Sequence, residues 1–85
     1  MQEWTYTITD ANGIHARPAG ILVEQLQKFN SVVTISLGDK SCDGKRLFAL
    51  MKLRVKNGNT ISVKIQGDDE EAAAATAKKF LQENL

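Results

Sequence analysis

Two residues suited to chemistry, His15 and Arg17, lie in the segment 13–19, where a strand-like pattern gives way to a helical one. Pro18, the only proline, suits the first turn of a helix because the N–H group that it lacks would have no partner there. Apolar residues then recur at i, i+3, i+4 and i+7, which predicts one buried helix face. This spacing places His15, the only histidine, at or beside the N-cap, with residues 16–18 in the first turn. The apolar positions are Ala19, Leu22, Val23 and Leu26.

A position at a helix N-terminus has chemical consequences for both residues. First-turn amides have no partner within the helix and carry the positive end of its dipole, so they can hold an anion. The same dipole disfavours a protonated imidazole, so we expect His15 to be neutral and nucleophilic at about pH 7. Arg17 adds a planar cation that can pair with two phosphate oxygens. Together these residue types could form a phosphoryl-accepting site. Taken alone, however, they favour the simpler alternative, a polar cap at His15 with a solvated charge at Arg17.

Composition limits the classes to which the protein can belong. The chain has 85 residues, so we expect residues 1–85 to form one domain. A net charge of +1 gives no indication of binding to nucleic acid or membranes. The lone Cys42 can form no internal disulfide, which favours a reducing compartment. The polar N-terminus lacks the features of a signal peptide, and the apolar runs are too short to span a bilayer. We therefore expect a soluble cytoplasmic protein with no metal or other cofactor.

The elements that must position His15 alternate between strand and helix patterns. Strands are predicted where apolar and polar residues alternate, and helices where apolar residues have helical spacing. Each strand then has one apolar face, as expected of an antiparallel sheet covered by helices on one side. Asp68 or Asp69 is expected to cap the last helix. The predicted elements are strands over 4–9, 33–37, 40–43 and 61–66 and helices over 16–28, over 45–53 and after Gly67, in the order β-α-β-β-α-β-α.

The second predicted helix carries more apolar residues than one buried face requires. Leu50 and Leu53 can face the core, which leaves Leu47, Phe48 and Met51 as a second cluster. Exposed apolar surface often marks a partner site, and methionine and aromatic residues suit adaptable interfaces. We predict that these three residues form a docking patch, and coverage of the cluster by loop residues is the alternative.

Gly20 and Cys42 each have two interpretations. Gly20 lies inside the first helix at a cost in helix propensity. Close packing against another element would explain it, and so would an uncluttered surface beside His15 that a partner could approach. Cys42 is expected to be a half-buried or core-facing residue of the edge strand over 40–43, since free cysteines are commonly buried and nothing else supports a redox role.

The sequence Gly-Ile-His-Ala-Arg-Pro-Ala at 13–19 resembles the active-site signature of HPr, the histidine-containing phosphocarrier of the bacterial phosphoenolpyruvate:sugar phosphotransferase system. The resemblance extends along nearly the whole chain, through the segment 45–51 and the turn at 56–58. It implies an α+β fold, an open-faced β-sandwich in which a four-stranded antiparallel sheet carries three helices on one face. It also implies a carrier with no turnover of its own. Enzyme I, which uses phosphoenolpyruvate, would phosphorylate Nδ1 of His15, and a histidine of a sugar-specific IIA domain would accept the group.

The resemblance also assigns roles to individual residues. His15 would be the phosphoryl acceptor and Arg17 its catalytic partner, while Ala16, Arg17 and Pro18 would bind phosphate. We expect a monomer whose partners are Enzyme I and the IIA domains. The residues expected to bind these partners are Gly20, Lys45, Arg46, Leu47, Phe48 and Met51.

One position departs from part of the family. In HPr of low-GC Gram-positive bacteria, a serine that opens the second helix is phosphorylated by an ATP-dependent kinase, and here that position is Arg46. Ser41 lies on the preceding predicted strand and does not match, so we predict no regulation by that route. Two other functions stay open: an HPr-like regulatory binding module without carrier activity, and a small α/β-plait domain that binds RNA or a metabolite. The presence of His15 argues against the first, and the small net charge argues against RNA.

Overall fold

The computed structural model describes residues 1–85 and contains four strands and three helices in the predicted order. The first strand and the first helix flank the loop that carries His15. The elements are β1 (Gln2–Thr7), α1 (Ala16–Leu26), β2 (Val32–Leu37), β3 (Lys40–Asp43), α2 (Leu47–Lys52), β4 (Thr60–Gln66) and α3 (Glu70–Asn84).

The four strands form one antiparallel sheet in the order β1-β4-β2-β3. Val63 in β4 lies opposite Trp4 of β1 on one side and Ile35 of β2 on the other. The edge strand β3 is joined to β2 by the predicted two-residue turn at Gly38 and Asp39, since Leu37 and Lys40 form the last pair. Gly38 has a φ of +62°, which a residue without a Cβ atom adopts at little cost.

One face of the sheet is apolar and is covered by the three helices, as predicted. Helix α1 packs against α2 and α3, while α3 contacts β1 and β4 and α2 contacts β3. The opposite face carries polar side chains such as Thr5, Ser62 and Lys64. The fold is therefore the expected open-faced α+β sandwich. Its core includes Val33, Ile35, Ile61, Val63 and Ile65 from the sheet and Ala19, Leu22, Val23, Leu26, Leu50, Ala73, Ala77, Phe80 and Leu81 from the helices.

Both α1 and α2 are shorter than the sequence pattern predicts. Helix α1 ends at Leu26, because the chain turns tightly there and the Phe29 N–H group donates to the Leu26 carbonyl oxygen at 3.1 Å. Helix α2 starts late because Asp43 forms a turn just before it. The Asp43 carboxylate accepts the Lys45 N–H group at 2.9 Å and its carbonyl accepts the Arg46 N–H group at 3.1 Å, which leaves Arg46 as the N-cap. None of the three helices combines the length and the apolar character required to cross a membrane.

Asp69 is the N-cap residue of α3, but its side chain does not cap that helix. The carboxylate instead accepts hydrogen bonds from the Ser31 hydroxyl and from the backbone N–H groups of Asn30 at 2.8 Å and Ser31 at 3.0 Å. These bonds, that of the Ser31 hydroxyl first, hold the pKa of Asp69 below its ordinary value. The prediction that this side chain caps α3 was therefore wrong. The Asp69 carboxylate instead connects the start of α3 to the α1–β2 loop, in which Ser31 is fully buried.

Cys42 is half-buried against the core, as predicted. Burial, assisted by the negative charge of Asp43, raises the pKa of its thiol. Because the thiolate is the reactive form of cysteine, this environment does not favour nucleophilic or redox chemistry at Cys42.

Candidate functional site

The β1–α1 loop that delivers His15 is anchored to the α2–β4 loop. The Ile14 N–H group donates to the Val55 carbonyl oxygen at 3.0 Å, and the Ile14 side chain is buried. Gly13 has a φ of +66°, and a Cβ atom added there would come within 2.2 Å of the same carbonyl oxygen. Only glycine fits this position, which explains its place immediately before the chemistry-bearing residues.

The start of the same loop is bound by Asn57 and by the end of the chain. The N–H groups of Thr9 and Asp10 both donate to the Leu85 backbone oxygen, at 2.7 and 3.0 Å. The Asn57 side-chain amide donates to the Thr9 and Asp10 carbonyl oxygens at 2.9 and 3.2 Å. The backbone that leads to His15 is therefore hydrogen-bonded to two separate parts of the chain.

His15 is the N-cap residue of α1, as its sequence context predicts. Its backbone is extended, with φ −119° and ψ 171°, and its carbonyl oxygen accepts the first helical hydrogen bond from Ala19 at 3.0 Å. The imidazole itself makes no capping hydrogen bond and is partly exposed. The alternative interpretation of His15 as a side-chain cap is therefore excluded, and the ring is accessible to a partner.

The first turn of α1 offers donors for an anion. The Ala16 and Arg17 N–H groups donate to no acceptor within the chain, as expected in a first helical turn. The exposed Arg17 guanidinium forms no ion pair, whereas Pro18 is buried and has no N–H group to donate. Two amides and one guanidinium can therefore bind anionic oxygens beside the imidazole. The depression at this point has a volume of ≈ 220 Å³ and is lined by Asp10, His15, Arg17, Pro18, Ile21 and Asn84.

Three residues of this depression, Asp10, Ile21 and Asn84, are not among those predicted from the sequence. Asp10 lies with its Oδ1 atom 3.7 Å from Nε2 of His15. An Asp-Ala-Asn-Gly turn is readable from sequence, but the direction of the Asp10 carboxylate is not. Ile21 follows Arg17 by one helical turn, which is a usable signal. Asn84 comes from the end of α3, and no local pattern indicates that it reaches this site. No group of three or more His, Cys, Asp or Glu side chains is placed to hold a metal ion.

The docking patch predicted on α2 is exposed only in part. Phe48 is 80% exposed, while Leu47 and Met51 are half-buried and pack against the core. Gly20 lies on the adjacent helix α1, and a Cβ atom added there would meet nothing within 4 Å, so close packing does not explain this glycine. A second depression of ≈ 470 Å³ runs along this surface, lined by Val23, Gln27, Lys45, Arg46, Leu47, Phe48, Ala49 and Lys52.

The two cations expected beside the patch are partly engaged within the chain. The Lys45 ammonium donates to the Phe29 carbonyl oxygen at 2.6 Å, which holds it over the α1–β2 loop. Arg46 is 78% exposed and places its Nε atom 3.6 Å from Oδ2 of Asp43. Exposed ion pairs of this kind are weak, so Arg46 is the more available of the two cations for a partner.

Comparison with known proteins gives one consistent result. A family model described as the PTS HPr component phosphorylation site matches residues 2–83. The phosphocarrier protein HPr of Buchnera aphidicola subsp. Baizongia pistaciae is 39% identical over 74 residues, which cover 87% of each chain. A solved histidine-containing phosphocarrier protein from Mycoplasma has a TM-score of 0.93 at 30% identity, covering 96% of this chain and 93% of that one. The Bacillus subtilis catabolite repression containing protein Crh was solved as a domain-swapped dimer. It has a TM-score of 0.78 at 28% identity, and the match covers 100% of this chain and 98% of the Crh chain.

Proposed function

The chain belongs to the HPr family of phosphocarrier proteins of the phosphotransferase system, and we propose that it relays a phosphoryl group through His15 in sugar uptake driven by phosphoenolpyruvate. Phospho-Enzyme I is the donor and a sugar-specific IIA domain is the acceptor. At each transfer one P–N bond forms as another breaks, so the group is passed on with little loss of free energy. The relay therefore runs in either direction.

The observation that carries this proposal is the free imidazole at the N-cap of α1. Nδ1 of His15 is the nucleophile that attacks phosphorus. The unpaired N–H groups of Ala16 and Arg17 and the Arg17 guanidinium bind the phosphoryl oxygens, whose negative charge the helix dipole also stabilises. Pro18 sets the helix start and contributes surface to the depression rather than a hydrogen bond.

Donor and acceptor dock, in this proposal, on the same surface beside His15. The docking patch and Gly20 provide an apolar, uncluttered approach along α1 and α2, and Arg46 adds a positive charge at its edge. We propose that the chain does this as a monomer in the cytoplasm. Because Crh was solved as a domain-swapped dimer, the mass of the protein in solution should be measured alongside its activity.

A regulatory binding module without carrier activity is the alternative, and the similarity to Crh is the observation that favours it. Such a module has no use for a nucleophile, whereas here the imidazole is left without a hydrogen bond beside free amide donors. That arrangement supports the carrier. Transfer of phosphate decides between the two functions, since a module of this kind would bind partners without becoming labelled.

The test is incubation with Enzyme I and labelled phosphoenolpyruvate. We expect the chain to take up acid-labile label and His15→Ala to take up none. Arg17→Ala should slow labelling about 13- to 160-fold, because a charge-assisted hydrogen bond contributes about 1.5–3 kcal/mol. Lys40→Ala is the matched control, since it removes an exposed cation from the edge strand β3. Label on His15→Ala would refute the assignment, and an unchanged rate for Arg17→Ala would make Arg17 a solvated charge.

A further inference from the structure

Asp10 supplies the one carboxylate that lies within 4.0 Å of a nitrogen of the His15 ring. Its Oδ1 atom lies 3.7 Å from Nε2, and both side chains are only partly exposed. Arg17 lines the same depression and supplies the charge of opposite sign. The separation is that of an ion pair and is about 0.5 Å longer than a hydrogen bond. A small rotation of the uncapped imidazole would close this gap.

The carboxylate of Asp10 is held by its own turn. Oδ1 accepts the Asn12 N–H group at 2.8 Å, which closes an Asx turn. The Asp10 N–H group donates to the Leu85 backbone oxygen at 3.0 Å, and the Asp10 carbonyl accepts the Gly13 N–H group at 3.0 Å and the Asn57 amide at 3.2 Å. With the backbone and one lone pair fixed in this way, the carboxylate is held next to the ring in the free protein.

A carboxylate at Nε2 selects one form of the ring. Neutral imidazole has two tautomers, and only the nitrogen without hydrogen can attack phosphorus. An acceptor beside Nε2 favours the proton there, which leaves the lone pair on Nδ1. When Nδ1 attacks, the P–N bond of the donor breaks and its electron pair returns to the donor nitrogen. The His15 ring keeps its Nε2 proton and becomes positive, so its attraction to Asp10 grows as the reaction proceeds.

We propose that Asp10 is a positioning residue that holds the Nε2–H tautomer of His15 and stabilises the ring once Nδ1 carries the phosphoryl group. The second half of this inference rests on the proposed function. The first half concerns the unphosphorylated chain and stands independently of it.

Nitrogen NMR of the 15N-labelled chain tests the first half without any partner protein. The two ring nitrogens have distinct shifts that report which of them carries the proton. We expect the Nε2–H tautomer to dominate the neutral ring. Asp10→Asn keeps the turn and the length of the side chain but removes the charge. It should lower the ratio of the Nε2–H tautomer to the Nδ1–H tautomer several-fold. Asp10→Ser, which can keep a similar turn but cannot reach the ring, should lower it by about tenfold or more.

The matched control is Asp39→Asn, which removes a carboxylate from the β2–β3 turn and should leave both shifts as in the natural chain. Melting temperatures of all variants show whether the fold is kept. Unchanged His15 shifts in Asp10→Asn, whatever its stability, would overturn the inference. If Asp10→Ser does not fold, Asp10→Asn alone decides.

Transfer from phospho-Enzyme I tests the second half. Asp10→Asn and Asp10→Ser should accept phosphate about tenfold more slowly, equivalent to about 1.4 kcal/mol in the barrier, and the phosphorylated variants should return it to the donor more readily. Normal rates together with an altered tautomer would overturn this half. If even the natural chain accepts no phosphate, the proposed function fails while the tautomer result still stands or falls by its own measurement.

Discussion

Phe48→Ala separates docking from folding because most of this side chain is exposed in the free protein. With 80% of Phe48 exposed, about one fifth of its surface contributes to the fold. Complete burial of a phenylalanine stabilises a fold by about 1.5–3 kcal/mol. Phe48→Ala should therefore lower the free energy of unfolding by only about 0.3–0.6 kcal/mol. The other four fifths can be buried by a partner. In a docked complex, Phe48→Ala should therefore reduce the binding free energy by about 1.2–2.4 kcal/mol, which weakens the affinity roughly 8- to 60-fold.

Two measurements on the same variant check this expectation. Denaturant unfolding gives the change in stability, and calorimetric titration with Enzyme I gives the change in Kd. Phe80→Ala is the matched substitution at a site only 6% exposed, where about 3–5 kcal/mol of stability should be lost. Val32→Ala removes exposed apolar surface outside the docking patch, since Val32 is 66% exposed at the start of β2, and should leave the affinity unchanged.

The opposite pattern would refute the reasoning. If Phe48→Ala lost more than about 1 kcal/mol of stability and bound Enzyme I normally, the side chain would serve the fold and not a partner. An equal loss of affinity in Phe48→Ala and Val32→Ala would show that binding depends on exposed apolar surface in general. The docking patch would then not be the specific binding surface.

Three further predictions each concern a single residue: Gly13, Asp69 or Arg46. Gly13→Ala should lower the free energy of unfolding by at least about 1–2 kcal/mol in denaturant titrations, since it forces a positive φ on alanine and drives its Cβ atom into the Val55 carbonyl; an unchanged midpoint would contradict this. The hydrogen bonds that Asp69 accepts lower its pKa in the folded state. Their contribution to folding stability is therefore fully present above the unfolded-state pKa of about 4, and it is lost as the pH falls through the lower folded-state pKa. Unfolding measured from about pH 6 to pH 3 should thus show a smaller acid-induced loss for Asp69→Asn than for the natural chain, with Asp68→Asn behaving like the natural chain. Because Arg46 occupies the N-cap of α2, serine-directed HPr kinase and ATP should add no acid-stable phosphate, and mass spectrometry showing such phosphate on any serine would be the contrary result.

The sheet and the helix start at His15 could be predicted because their signals are local. Alternation of apolar and polar residues determines which face of each strand is buried, and Val33 and Ile35 lie in the core accordingly. Pro18 together with the apolar spacing after it was sufficient to place His15 at or beside the N-cap, and the structure makes it the N-cap residue. The surplus of apolar residues on α2 likewise indicated the exposure of Phe48.

The rest depends on contacts between segments that are distant in sequence. Asp69 has the residue type and position of a helix cap, yet the amides and hydroxyl of the α1–β2 loop lie closer and bind its carboxylate. Asn84 reaches the His15 depression only because α3 lies across α1. Asp10 is near in sequence and its Asx turn is local, but the direction of that turn relative to the His15 ring also depends on the Leu85 and Asn57 hydrogen bonds that hold the loop. No local pattern contains this information.

NMR of the 15N-labelled chain after phosphorylation by Enzyme I and phosphoenolpyruvate tests the central claim most directly. We predict a single P–N bond, detected by coupling between 31P and Nδ1 of His15, which disappears when a IIA domain is added. Coupling to Nε2, phosphate on another residue, or a bond that a IIA domain does not consume would contradict the assignment of His15 as the relay.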